Sequence, residues 1–425
     1  MPSVSDIIQA LQMEFFYTAQ AINGSDDPAF TITYRFETSV PEDDITGRTG
    51  WSSWSAAEES AVLSALAHIE TFLNVDFVAA DPGEDADLSL GLVTQPEGVA
   101  GYGGAELWTW EDGSFYSYDG FATFDKTLDL TENFNLILHE LGHALGLEHT
   151  FDGVALDAAY DSNHYSVMSY TADPESGENN DAMMIYDLLA LQNIWGAAAY
   201  NTGDDSYTGP RTGNVDTIWD TGGIDTFDAS ARDTAVLLDL REGTFSTFGS
   251  YEDVAIAFGV TIENALGGSG DDALIGNAAD NLLVGNDGND LIRGRAGADT
   301  LKGGKGRDAL MGGSDSDLLR GGLGRDMLEG GDGDDVLEGG RGIDKLWGDG
   351  SADTFCFTVG ADTDVVRDFE PGVDAIAVIG LGTRAQVLAA ASETGGDVVF
   401  DFGDGDLLVV RNTTLDALDG DLSVA

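Results

Sequence analysis

The sequence predicts an α+β domain followed by an all-β parallel β-roll with a β-rich C-terminal cap. Three observations predict it. Strand-like and helix-like periodicities alternate up to about residue 200. Glycine and aspartate dominate after about residue 205. From Gly267 to Cys356 the chain falls without a gap into ten frames of nine residues.

In the first part, FTITYRFE (30–37) alternates apolar and polar residues as a strand does. SAAEESAVLSALAHIETFLN (55–74) opens with a capping box, Ser55-x-x-Glu58, and places Val62, Leu66, Ile69 and Leu73 at helical spacing. ADLSLGLV and GYGGAELWTW read as further strands, and NFNLILHELGHALGL as a helix. DAMMIYDLLALQNIWG reads as another helix, with Asp181 capping its start and Gly196 its end. In the frames, position one is always Gly, position six is Asp except at Asn281, and position eight is Leu, Ile or Phe. A flexible linker has no need of an apolar residue at one fixed position. By texture the chain divides into an N-terminal extension or pro-segment (1–25), a mixed domain (26–205), linker strands (206–266), the frames (267–356) and a cap (357–425).

Composition narrows the partners. Acids outnumber bases 77 to 18, a formal charge of −59. Such a polyanion is repelled by phosphate backbones and anionic bilayers but attracts multivalent cations, so nucleic acid is excluded as a partner. No apolar run approaches the ~18 residues of a membrane span, so no membrane insertion is expected. The N-terminus lacks the basic and apolar regions of a secretory signal peptide. Cys356 is the only cysteine, so no intramolecular disulfide forms.

HELGHALGLEH (139–149) holds three of the chain's five histidines. On a helix His139 and His143 project from one face, a ready chelate for one zinc ion, with Glu140 beside them. Gly146 adopts a left-handed conformation that ends the helix, and the returning chain lets His149 become a third ligand. Three protein nitrogens leave a position open for water, the mark of a catalytic zinc. On this reading zinc lowers the water's pKa to about 7 and Glu140 takes its proton, so that the hydroxide attacks a carbonyl.

SVMSY (166–170) follows His149, and the long histidine motif with this Met-containing turn resembles the serralysin branch of the metzincins. The resemblance implies a metzincin-like protease domain over 26–205. It makes Met168 an apolar floor beneath the metal and Tyr170 both a fifth zinc ligand and an oxyanion partner. Thr150 and Thr171 depart from the pattern, which usually has Pro and Trp there, and they leave the pocket wall open to question. GYGGAELW (101–108) lies where metzincins carry the edge strand that pairs with substrate. Nothing beyond its glycines and aromatics separates this from an internal strand.

The frames match the calcium-binding β-roll repeat: glycine turns, a short strand pointing its position-eight residue inward, and two frames per coil. Position-six aspartates Asp272, Asp290, Asp299, Asp308, Asp317, Asp326, Asp335, Asp344 and Asp353 then supply oxygens for ~8 calcium ions, with Asn281 weakening its site. The repeat also resembles those of the RTX proteins, which implies type I export, folding in extracellular calcium and an uncleaved C-terminal signal, here LDGDLSVA. VDTIWDTGGIDTFDAS (215–230) is similar to the serralysin linker, where Asp220, Gly222 and Asp225 would bind a further calcium. The expectation is a secreted, extracellular, monomeric zinc endopeptidase acting on protein and peptide substrates. The alternative is a calcium-dependent extracellular binding or adhesion protein with an inactive peptidase domain. His68 and His164 are expected outside the metal set, and Cys356 is expected to pack.

Overall fold

The computed structural model describes every residue except 15, 17–20, 41–47, 110–114, 175, 178, 211–214, 250, 251, 361, 419 and 425. It forms two compact units, the first built from Met1–Thr202, Pro210–Thr221 and Ala255–Val260, the second from Gly203–Gly209, Gly222–Val254 and Thr261–Ala425.

The first unit is a mixed sheet with helices. Its elements are α1 (Val4–Leu11), β1 (Phe30–Glu37), β2 (Thr49–Ser52), α2 (Ala56–Glu70), β3 (Val75–Ala79), β4 (Leu88–Thr94), β5 (Gly101–Thr109), β6 (Phe115–Asp125), α3 (Phe134–Ala144) and α4 (Ile185–Trp195). The sheet order is β3-β1-β4-β6-β5, and β2 pairs with β4. β5 runs antiparallel to β6 at the end of that order. The capping box of α2 forms as the sequence predicts, and Val62, Leu66 and Ile69 are buried beneath it.

α4 begins later than expected. Its N-cap is Met184, whose N–H donates to Asp187 at 2.9 Å, so Asp187 takes the capping role that the sequence assigns to Asp181. Gly196 does end the helix, with φ +76°. Two buried polar side chains hold the far end of α3: the Tyr118 hydroxyl donates to the Ala144 carbonyl at 2.7 Å, and Trp195 Nε1 donates to the Leu145 carbonyl at 3.0 Å. These carbonyls have no partner within the helix, so burying them requires such donors.

The N-terminal segment is seated in this unit. Ile7 and Leu11 are fully buried, the Glu148 N–H donates to the Leu11 carbonyl, and the Met13 N–H donates to the Gly146 carbonyl.

The second unit is a parallel ladder with an 18-residue step, as in Leu283↔Leu301↔Leu319↔Leu337 and Ile292↔Leu310↔Leu328↔Leu346. Every position-eight side chain from Leu274 to Phe355 is at most 1% exposed. Burying each such leucine contributes about 2 kcal/mol. The ladder extends past both ends of the frames. Strands 226–228, 237–239 and 264–266 precede it, and 362–366, 375–379, 406–410 and 422–424 continue it. The C-terminal part also contains short helices at Arg384–Ala389 and Leu415–Leu418.

Candidate metal centre

α3 ends in a turn built by sequence. The Leu147 N–H donates to the Gly142 carbonyl and the Gly146 N–H to the His143 carbonyl, with Gly146 at φ +110°. This Schellman pair turns the chain back toward the helix. The turn packs tightly as well: a Cβ on Gly146 would lie 2.6 Å from the Phe16 ring.

The candidate ligand nitrogens of His139, His143 and His149 lie within 4.8 Å of one another. His143 Nε2 and His149 Nε2 are 3.1 Å apart, close to the ~3.3 Å that separates two nitrogens on one tetrahedral zinc. Each ring is anchored through its other nitrogen. Nδ1 of His139 meets the Val167 carbonyl at 2.8 Å, that of His143 the Leu147 carbonyl at 2.7 Å, and that of His149 Asp152 Oδ2 at 2.7 Å. With Nδ1–H donating, each Nε2 lone pair is left for a metal. Burial pushes the His139 imidazole down to about 4 and His143 down to about 3, so both stay neutral, the form a metal requires.

Glu140 is 4% exposed, and its Oε2 has no hydrogen-bond partner. Burial pushes its carboxyl up to about 8, against the opposing pull of the Gly103 N–H and the Arg48 charge. β5 lies close because it has glycines where it passes α3. A Cβ on Gly101 would lie 2.4 Å from Glu140 Oε1, and one on Gly103 would lie 2.2 Å from the Glu140 carbonyl.

Met168 is fully buried against α3, and a Cβ on Gly142 would lie 2.7 Å from its sulfur. The turn holding Met168 is fixed by Asp187, which accepts from the Ser166 hydroxyl at 2.6 Å and the Val167 N–H at 2.9 Å. Since Val167 also anchors His139, a carboxylate on α4 orients a ring on α3. The Tyr170 side chain is exposed, with its hydroxyl 2.8 Å from His149 Nε2. Burial of the hydroxyl, then the Glu140 and Asp152 charges, raise its pKa. The Thr150 hydroxyl, fully buried, donates to Asp161 Oδ1, which also accepts from the Ser169 hydroxyl at 2.6 Å. Asp161 thus clasps the residue after His149 to the residue before Tyr170. Cavities of about 860 and 470 Å³ flank the centre, and both are lined by His139, Glu140 and Tyr170.

His164 and His68 lie outside this set. His164 Nδ1 is 2.6 Å from the buried Asp173, and His68 Nε2 accepts the Met183 N–H at 3.3 Å.

In the roll, Oδ1 of each position-six aspartate from Asp290 to Asp353 accepts the backbone N–H of the residue 18 earlier. The Oδ2 atoms of Asp290, Asp299, Asp308, Asp317, Asp326, Asp335 and Asp353 are buried without partners. A position-one glycine keeps a cradle open beside each. On Gly285 a Cβ would lie 2.2 Å from Asp290 Oδ2 and 2.8 Å from the Gly303 carbonyl.

Two frames differ. Both Asp272 oxygens accept backbone N–H groups, from Val236 and Gly268, and the Asn281 amide donates to the Glu263 carbonyl. Of the upstream candidates, Asp220 is buried in the first unit. Asp225 is buried in the second, where it accepts the Asp205 N–H at 2.8 Å, and Gly222 is exposed.

Sequence reasoning missed Asp364 and Asp374. Asp364 pairs in register with Asp344, and Asp374 accepts the Asp353 N–H at 3.0 Å. Steps of 20 and 21 residues break the nine-residue rhythm there. The surviving signal is an aspartate heading the apolar runs DVV and DAIAV. Asp152, Asp161 and Asp187 carried no signal, because each acts only through the fold.

Together the fold and site define a class of chain with three converging histidines in one unit and a glycine–aspartate parallel roll in the other. Residues 191–407, half of the chain, match the family model of the Peptidase M10 serralysin C terminal, and the chain belongs to that family. It is 33% identical to Serralysin of Photorhabdus laumondii over 58% of this chain, and 33% identical to Serralysin G of Dickeya chrysanthemi over 57%. The matched part spans 58% of the length of each relative. The likeness to the crystal structure of extracellular lipase LipA from Serratia marcescens is slight. It amounts to 18% identity and a TM-score of 0.22 over 38% of this chain and 40% of that one. Among the described residues no helix is long and apolar enough to cross a membrane.

Proposed function

We propose that the chain is a secreted zinc-dependent endopeptidase, with a metzincin-like first unit and a calcium-binding roll. The observation carrying this reading is the convergence of three anchored imidazoles beside a buried Glu140 that has an unpartnered oxygen. The donor set fits zinc: three imidazole nitrogens and no thiolate. Zinc held there supplies Lewis acidity, acidifying a water and polarising a carbonyl.

The protein's own groups do the rest. Glu140 accepts the water's proton and passes it to the leaving amine; burial, which makes a lone carboxylate costly, raises its basicity. Tyr170, whose hydroxyl lies 2.8 Å from His149 Nε2, would be a further ligand at rest and a donor to the oxyanion that develops on the substrate. β5, at the end of the sheet order, offers backbone hydrogen bonds to an extended peptide and holds it beside Glu140. Met168 forms the floor. Asp290 to Asp353, together with Asp220, Gly222 and Asp225, would hold calcium, roughly eight ions in the roll. The millimolar calcium outside a cell would fill such sites after type I export, leaving a folded monomer.

The test is casein hydrolysis in millimolar calcium by the full chain and by Glu140→Gln. The variant should retain its zinc and lose at least about 10²-fold in rate. Hydrolysis at the parental rate would remove Glu140 as the base. A folded, zinc-loaded parent that cleaves nothing would favour the adhesion protein instead.

A further inference from the structure

We propose that a groove along one face of the roll binds a linear acidic polysaccharide. The chain has 18 Lys and Arg, and nine of them fall between Arg293 and Lys345, whereas only Arg35, Arg48 and Lys126 precede residue 200. That stretch also holds eleven acids, but six of them (Asp299, Asp308, Asp317, Asp326, Asp335 and Asp344) are buried position-six residues. The outer surface of these turns therefore carries nine bases against Asp315, Glu329, Asp332, Asp334 and Glu338. Its sign is the reverse of a chain at −59.

A cavity of about 400 Å³ lies on this surface, lined by Asn289, Arg307, Arg325, Met327, Ile343 and Lys345 together with the position-six carboxylates Asp308 and Asp326, which bound calcium would neutralise. Arg307, Arg325 and Ile343 occupy position five of successive turns in one column, and Met327 pairs in register with Lys345. Rungs stand about 4.8 Å apart, so the cations line up along the roll axis. Two of the other six bases in the stretch have partners, Lys305 with Asp287 and Arg320 with Glu338. Among the described ion pairs Arg307, Arg325 and Lys345 have none, and all three are exposed.

The chemistry of the groove selects the ligand. Guanidinium forks bind planar oxyanions in bidentate fashion. The rung N–H and C=O groups are committed to the ladder, so a peptide finds no strand edge here. Duplex nucleic acid presents its phosphates on the outside of a rod and no exposed ring face, so Met327 and Ile343 gain nothing from it. A sugar chain carries its carboxylates or sulfates on rings, and the apolar faces of those rings suit Met327 and Ile343, which are 50% and 45% exposed. Screening within about 8 Å shelters such local contacts from distant acidic charge. The inference needs only the folded roll and is independent of the peptidase reading.

The experiment titrates fluorescent dextran sulfate with the full chain in calcium, with neutral dextran and polyglutamate run alongside. The parent should bind dextran sulfate saturably and lose affinity as NaCl rises from about 50 to 200 mM. Combined Arg307→Gln, Arg325→Gln and Lys345→Gln substitutions should weaken binding at least about tenfold at an unchanged melting temperature. If that variant melts lower, Arg307→Gln and Arg325→Gln are compared singly at matched stability. No binding by the parent, equal binding by the variants, or polyglutamate held as tightly as the sugar would each overturn the proposal.

Discussion

Thr150 shows how one hydroxyl reaches the proposed metal centre without touching it. It binds Asp161, Asp161 binds Ser169, and so His149 and Tyr170 are held 2.8 Å apart by a clasp between their chain neighbours. Proline at position 150 could not make this link, having no donor. Thr150→Val keeps the shape and removes the hydroxyl, so it should weaken zinc binding about tenfold, as loss of an outer-shell partner does. Thr150→Ser should restore it. Competition with a chromophoric chelator reads the affinity directly, and a Val variant that holds zinc as tightly as the parent would dismiss the clasp.

At the scale of the element, a turn of the roll combines an apolar strand with a glycine that leaves room for oxygens. Gly285 has an ordinary backbone conformation, so Gly285→Ala tests the space alone. Its Cβ would meet Asp290 Oδ2 and the Gly303 carbonyl, and the variant should bind one calcium fewer by equilibrium dialysis. Unchanged stoichiometry would place calcium elsewhere. Leu319→Ala removes a rung side chain buried on all sides, and should lower stability in calcium by about 2–5 kcal/mol with calcium stoichiometry unchanged. Thermal unfolding at saturating calcium measures this.

For the whole molecule, acidity and calcium oppose each other in the roll. In the calcium-free chain, burial pushes the carboxyls of Asp290, Asp299, Asp326 and Asp353 up to about 7, and those of Asp308, Asp317 and Asp335 up to about 6. Their folded values lie above the unfolded value of 3.8, so the folded roll binds more protons than the unfolded chain. Its stability is therefore greatest below about pH 4 and is lost as pH rises through 6 to 7. With chelator present, β-sheet circular dichroism should grow as pH falls from about 8 to 5, whereas with calcium it should stay high throughout. A chelated roll that is equally folded at both pH values would contradict this.

The sequence by itself determined whatever depends on spacing along one element. His139 and His143 share a helix face because they are four residues apart, Gly146 turns the chain because it lacks a Cβ, and the nine-residue frame sets an 18-residue ladder with one buried side chain per rung. Only the tertiary structure decided what depends on contact across elements. Asp187 holds the Met168 turn, Asp152 orients His149, Asp364 and Asp374 extend columns whose rhythm an insertion had broken, and Asp181 lost the cap of α4 to a residue further along. A carboxylate's role is set by the donors that packing brings to it, and those come from residues far away in the chain. The periodicity of a local stretch carries no record of them.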